Sequence, residues 1–306
     1  MKWFILNRLM QAGIVLLAVT TIIFVLSRFL ADPAVALLPE DALEEDYLRL
    51  RQELGLDRPF WVQYGLYMGA LFRGDLGESV RSVGYDVAEL IPRPLTNSAK
   101  LAGVAWIGAM LAGVTLGIIA ALNRGTIIDY FARVIAVLGL VTPPWWLGII
   151  FIIIFAVKLQ WLPAAGLGGW KHYVMPAGVL ALVALAGLTR LTRASMLEIL
   201  DSEYVKLARA KGLPYRTVVW KHALRNALIP IVTFAGLYFA LLMTGAITIE
   251  LVFAWPGLGR LMINALNSQD YVVVQGTIMV AAFIVVGFNT LVDILYGVID
   301  PRIRVS

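Results

Sequence analysis

SMLEILDSEYVKLARAKGLPYRTVVWKHALRNALIP, residues Ser195 to Pro230, stands between two long apolar runs, Val174–Leu191 and Ile229–Ile249. Leu197, Leu200, Tyr204 and Leu207 or Ala208 recur every three or four residues, while Glu198, Asp201, Lys206 and Arg209 fall elsewhere, the spacing of an amphipathic helix. Asp201 or Ser202 is placed to start its exposed part, and Gly212 fits the left-handed residue that closes such a helix. Pro214 suits the first position of a second helix, which runs toward Leu228 and on into the apolar segment. The stretch predicts a short helix, a tight glycine turn and a helix continuous with a membrane crossing. A short helix joined in that way to a spanning segment can transmit displacement as a lever. Lys206, Arg209, Lys211, Arg216 and Lys221 fit a second reading, a helix resting on anionic lipid.

Moving outward, further apolar runs occupy Leu9–Leu26, Leu101–Leu122, Val134–Val157 and Thr277–Ile299. Each is long enough to cross a hydrocarbon core of about 30 Å at about 1.5 Å per residue. Together with the two runs above they predict an all-α polytopic membrane protein with about six crossings. Composition agrees: of 306 residues 60% are hydrophobic and 15% charged, against about 25% charged in soluble domains. The first run is too long for a signal peptide and lacks a small-residue cleavage site after Leu26, so it is read as a retained crossing. Pro143 and Pro144 must break the third crossing or stand near its start, and Asn97 or Ser98 is placed to cap the second. With no cysteine and only two histidines, His172 and His222, disulfide scaffolds, iron–sulfur centres and thiolate metal sites are excluded.

Six crossings put both termini on one side. With the N-terminus, 123–133, 190–228 and the C-terminal tail inside, the inner set holds fourteen Lys and Arg against five acids, and the outer set eleven against fourteen. The basic excess marks the cytoplasmic face, so both termini are expected there. The isoelectric point of about 9.4 therefore reflects topology, and no nucleic-acid partner is expected. Trp3, Trp61, Trp161, Trp170 and Trp255 fall where interfacial anchors belong, whereas Trp145 and Trp146 are expected within the helix package. The outer loop 31–93 carries two amphipathic stretches, Asp41–Leu54 and Phe60–Leu71, closed by Gly55–Pro59 and Gly74–Gly77. It forms a cap that covers the helix ends or also receives a soluble partner.

Several of these segments resemble one family. Glu203-Tyr204-Val205 through Ala208-Arg209-Ala210-Lys211-Gly212, then His222 to Pro230, is similar to the cytoplasmic loop of ABC importer permeases of the dipeptide/oligopeptide/nickel type. Gly55-Leu56-Asp57-Arg58-Pro59, Gly74-Asp75-Leu76-Gly77, Phe253 to Arg260, Asp270-Tyr271, Val292-Asp293 and Asp300-Pro301-Arg302 extend the likeness over nearly the whole chain. Lys206-Leu207-Ala208 replaces the general Glu-Ala-Ala, as is usual in this branch, and Leu30-Ala31-Asp32-Pro33 departs from the common Pro-Gly-Asp-Pro.

The resemblance implies a type I importer transmembrane fold and a permease subunit working by alternating access. It also implies a homologous second permease, two cytoplasmic ATPase subunits, an extracytoplasmic substrate-binding protein and a bacterial-type inner-membrane location. The chain has no GxxxxGK[ST] loop, so ATP and magnesium are expected in the partner subunits, with no cofactor or metal on this chain and no catalytic residue of its own. Glu203, Tyr204, Ala208, Arg209, Ala210 and Gly212 are the expected ATPase contact. Asp293, with Thr244, Thr248 and Asn289, is the candidate lining of the translocation path, interhelical hydrogen bonding being the other use of such residues. Glu250 and Arg260 are candidate contacts of the binding protein. The expected division is a first crossing plus loop region over 1–93, a permease core over 94–300 containing the coupling loop 195–228, and a tail over 301–306. A secondary transporter would also have six helices, but it usually shows an internal repeat and midplane ion ligands, and neither is evident here. A membrane enzyme would need convergent catalytic groups, which the sequence does not present.

Overall fold

The computed structural model describes residues 2–30, 38, 43–53, 55–82 and 84–299. Their helices, in chain order, are α1 (Lys2–Leu30), α2 (Glu44–Glu53), α3 (Phe60–Phe72), α4 (Val87–Leu90), α5 (Pro92–Leu122), α6 (Ile127–Val141) and α7 (Pro144–Phe151). Beyond these come α8 (Lys171–Leu200), α9 (Glu203–Ala210), α10 (Tyr215–Thr217), α11 (Leu224–Val252), α12 (Leu258–Asn267) and α13 (Tyr271–Ile299). Among the described residues the only β pairing is the isolated bridge between Glu78 and Asp86. Four helices are long and apolar enough to span a membrane, and six spans result if each of two bent pairs counts as one. One of those pairs is α6 with α7 and the π-turn Ile152–Lys158 behind it, bent by 105°. The cause is local: Thr142 and Pro143 are extended, and two consecutive prolines cannot donate to the preceding turn. The third apolar run thus folds as two helices that meet at this bend.

The chain divides into two compact units. The first comprises 1–8, 99–255 and 288–306, and the second 9–98 and 256–287. The expected division had its boundary at residue 93, whereas this grouping places 256–287 with 9–98.

In the first unit α8 is the central helix, with fifteen buried residues from Met175 to Leu200. Its neighbours approach closely because small residues face it. A Cβ on Gly117 of α5 would lie 2.5 Å from the Thr192 Cβ, and one on Gly139 of α6 would lie 2.9 Å from the Leu182 carbonyl oxygen. Trp106 donates its indole N–H to the Ala235 carbonyl at 2.7 Å, tying α5 to α11. Trp255 is fully buried edge-to-face on Tyr173 at 4.7 Å, so it is a core residue and not an interfacial anchor. Trp145 and Trp146 are half exposed, not packed within the bundle as expected, while Trp3, Trp161 and Trp170 are exposed.

In the second unit Val87, Ile91, Leu258, Ala265 and Val273 form the core. The predicted cap helices appear as α2 and α3, and Gly55, Gly74 and Gly77 take the positive φ that their turns require. Asp270 is buried at the start of α13. It accepts the Ser79 hydroxyl at 2.6 Å and the amides of Arg81 and Val273 at 3.2 and 3.3 Å, pinning the loop 74–86 to that helix end. Ser98 does not cap its own helix, which begins six residues earlier at Pro92; its hydroxyl oxygen accepts the Leu258 amide at 2.8 Å and caps α12 instead. Asn97 reaches the Pro256 carbonyl at 2.9 Å. The departures at Leu30 to Pro33 and the Asp300-Pro301-Arg302 motif fall almost wholly outside the described residues.

Candidate functional site

The candidate lever is built from residues 199–226. α8 stops at Leu200, where the Ser202 hydroxyl turns back to the Ile199 carbonyl at 2.5 Å. The break shifts the helical phase of α9. Its buried positions are Val205 and Ala208, which close on Val218 with Ile199 beside them, whereas Leu207 projects outward. Continuing the periodicity of α8 through the break would have turned Leu207 inward.

The end of α9 is a Schellman turn: the Gly212 amide bonds the Arg209 carbonyl at 2.9 Å, and the Leu213 amide bonds the Ala208 carbonyl at 3.4 Å. Gly212 has φ +76°, and a Cβ there would meet nothing within 4 Å. Pro214 is extended and sits one residue before α10, not as its first residue. From Tyr215 the backbone stays helical through α10, a π-turn at Val218–Ala223 and α11, so the arm and the fifth apolar run are one rod, bent by 46° between Leu228 and Pro230.

A polar clasp fastens α9 to that rod. The Tyr204 hydroxyl donates to the His222 carbonyl at 3.3 Å, and the Asn226 amide donates to the Tyr204 oxygen at 2.9 Å and to the His222 carbonyl at 3.0 Å. On the outer face Lys206 binds Glu203 at 2.8 Å, and this hydrogen bond raises the ammonium pKa above its ordinary value. Glu203, Arg209, Ala210, Lys211 and Gly212 are all exposed, as are Tyr215 and Trp220.

Behind the arm lies a buried ion pair. Asp129, at the start of α6, accepts Arg193 of α8 in bidentate fashion, Nε to Oδ1 at 2.6 Å and Nη2 to Oδ2 at 2.9 Å. The Gly125 amide adds a bond at 3.0 Å, and Arg133 stands 3.3 Å away. An exposed pair, Arg124 with Asp201 at 3.4 Å, links the same loop to the α8–α9 junction.

Against this geometry, the model for the binding-protein-dependent transport system inner membrane component matches residues 113–305, the whole of the arm and the core behind it. The chain belongs to this family. The family's N-terminal membrane-component model matches residues 1–85. A putative peptide transport system permease protein of Brucella abortus is 40% identical over 98% of both chains. The dipeptide transport system permease protein of Alkalihalophilus pseudofirmus is 38% identical over 98% of each, and the oligopeptide transport system permease protein of Bacillus subtilis is 34% identical over 99% of this chain and all of its own. Among solved structures, an inward-facing methionine ABC transporter aligns with a TM-score of 0.53 at 19% identity, covering 67% of this chain and 95% of that one. An amino acid ABC transporter with histidines aligns equally, at 16% identity over 68% and 93%. These likenesses establish the type I importer transmembrane fold.

Within this transport-system membrane component, the structure sorts the expected site residues. Glu203, Tyr204, Arg209, Ala210 and Gly212 are each exposed. Ala208 does not join them: at 8% exposure it is the seat on which α9 rests against Val218, so it shapes the docking face from behind. Glu250, expected to meet a binding protein, is 1% exposed, and its carbonyl accepts the Trp255 amide at 2.7 Å. Burial removes it from any surface role. Arg260 is half exposed on α12. Asp293 forms an ion pair with Arg8 at 3.3 Å, which joins α13 to α1, and both side chains are partly exposed. Thr248 is exposed and Asn289 half buried, and the side chain of Thr244 lies outside the described residues.

Sequence reading missed the Asp129–Arg193 pair and Asn226. A signal existed for the first: Asp129, Ala132, Ala136 and Gly139 recur at helical spacing, a stripe of small residues that marks the packed side of α6. Asn226 had none, because the Tyr204 hydroxyl it binds is 22 positions away.

Proposed function

We propose that this chain is one of two homologous membrane-spanning subunits of an ATP-driven importer of dipeptides or oligopeptides, and that it forms half of an alternating-access pathway. The substrate reading follows the names of its full-length relatives, and the membrane role follows the family. Two cytoplasmic ATPase subunits, carrying ATP and magnesium, grip α9 and the Gly212 turn, and an extracytoplasmic binding protein delivers the peptide. Both termini and the arm face the cytoplasm, in keeping with the basic excess of those segments.

One observation carries the mechanism: α9 is clasped through Tyr204, Asn226, Val205 and Ala208 to a helical rod that is continuous from Tyr215 to Val252. A push on α9 is therefore not absorbed in a loop. Closure of the ATPase dimer displaces α9, the rod tilts, and the bundle changes the side to which its path opens. This chain contributes the arm and the path, and the motor supplies the energy.

Gly212→Asp tests the assignment. The φ of +76° is tolerable for aspartate at a cost of about 1 kcal/mol, and the space beyond is open, so the turn persists while a carboxylate intrudes on the docking face. In proteoliposomes with partner subunits and binding protein, the expected result is normal assembly, retained basal ATP hydrolysis, and loss of both its stimulation by loaded binding protein and of peptide uptake. Uptake equal to wild type would overturn the docking assignment.

A further inference from the structure

Helix α3, FWVQYGLYMGALF, contains no charged residue in thirteen, yet lies in a loop region between two spanning helices. Its two sides are differently engaged. Phe60, Tyr64 and Tyr67 surround the buried ring of Phe24 on α1, with centroids at 5.4, 5.3 and 5.1 Å, and the Tyr64 and Thr21 hydroxyls are bonded at 2.8 Å. The other side exposes Trp61 (78%), Leu66 (53%) and Phe72 (84%), together with Val62. At about 100° per residue these four span an arc of about 140°, with Gly65 and Gly69 inside it.

The contacts with α1 fix the depth of α3. The apolar run of α1 ends at Leu26, where Ser27 and Arg28 follow. Phe24 is about 3 Å and Thr21 about 8 Å below Leu26 along the helix axis. A helix held at Thr21 and Phe24 therefore sits within the window of about 5–10 Å in which interfacial helices bury their apolar faces. Leu17, Ile22 and Leu26 of α1 are likewise apolar and exposed, on a helix long and apolar enough to span a membrane. Arg58 and Arg73 bracket the helix, one at each end, as cations suited to phospholipid phosphates.

We propose that α3 is a membrane-interface helix whose Trp61, Val62, Leu66 and Phe72 face is immersed in phospholipid at the surface where α1 ends. It would anchor the cap at that depth whatever solute the transporter carries, so the proposal stands apart from the peptide reading. Burial of this face in lipid also explains how so apolar a segment remains on the outside of the second unit.

The chain has no cysteine, so a single introduced thiol is a unique label site on it. A nitroxide is placed at Leu66→Cys in the assembled transporter in vesicles of phosphatidylethanolamine and phosphatidylglycerol, the signal being corrected with the same complex lacking that thiol. Leu17→Cys on α1 serves as the lipid reference, and Tyr85→Cys, in the exposed loop before α4, as the aqueous one. The expected result is severalfold greater collision with dissolved oxygen than with a water-soluble nickel chelate, as at Leu17→Cys. Collision dominated by the chelate, as at Tyr85→Cys, would overturn the proposal, and so would low accessibility to both agents, which would mean a protein partner covers the face. If Leu66→Cys fails to assemble, Trp61→Cys on the same arc reads out the same alternatives.

Discussion

Asp129 and Arg193 show how a carboxylate can be buried where two helices meet. The carboxylate is buried, accepts two bonds from one guanidinium, and has the Gly125 amide as a third donor. An isolated charge at such a site is unfavourable, whereas the bidentate pair satisfies both groups. The pair joins the start of α6 to α8 about two helical turns before the arm begins. Asp129→Asn leaves Arg193 without its counter-charge and is expected to destabilise the detergent-solubilised complex by about 3 kcal/mol. Asp129→Leu combined with Arg193→Leu removes both charges and is expected to recover most of that loss. Thermal unfolding of the three proteins decides the matter: a double variant less stable than Asp129→Asn would show that the pair is worth more than its isostere. Lys206 and Glu203 are the contrasting case. They are bonded at 2.8 Å but lie in solvent, so the pair adds little to stability.

At the scale of elements, the close approach of α5, α6 and α8 follows from glycines placed where neighbours cross. Gly117 is the tightest, with the Thr189 carbonyl oxygen 2.8 Å and the Thr192 Cβ 2.5 Å from a built Cβ. Gly117→Ala therefore forces α5 away from α8 and is expected to cost about 1–3 kcal/mol by overpacking, whereas Gly125→Ala, with open space around it, is limited to the strain of its positive φ. Melting temperatures of the two variants in one detergent check the order, and equal losses would refute it. The helices themselves were legible, because runs of apolar residues at spanning length, the Gly212 stop and the Gly74–Gly77 turns are local signals. What was not legible depended on tertiary neighbours. Trp255 and Glu250 looked like surface residues, since nothing local reveals that Tyr173 and the chain from Phe253 close over them. Whether Leu207 or Ala208 turns inward was left open, because the break at Asp201 and Ser202 shifts the helical phase by an amount the sequence does not specify, and the structure buries Ala208. The ion pair of Asp293 was likewise not legible, because its partner, Arg8, is 285 positions away.

At the scale of the whole molecule, the decisive physical asymmetry is the distribution of charge between the two membrane faces, and it makes a statement about every exposed segment at once. If the basic excess orients the chain, the arm and the 74–86 loop must be on opposite sides. Lys211 on the arm and Tyr85 in the loop are both exposed, so a cysteine at either position is open to reagent from its own side of the membrane. Lys211→Cys and Tyr85→Cys, made separately in a chain that has no thiol of its own, therefore report sidedness with little structural disturbance. A membrane-impermeant maleimide applied to intact cells whose outer envelope has been opened is expected to modify Tyr85→Cys and to leave Lys211→Cys untouched until the membrane is permeabilised. Co-assembly with the ATPase subunits should then slow modification of Lys211→Cys in permeabilised membranes, because the docked surface covers it, and leave Tyr85→Cys unchanged. Labelling of Lys211→Cys from outside would put the arm beyond the reach of any cytoplasmic motor. The lever would then have nothing to move it, however well α9 is clasped to the rod.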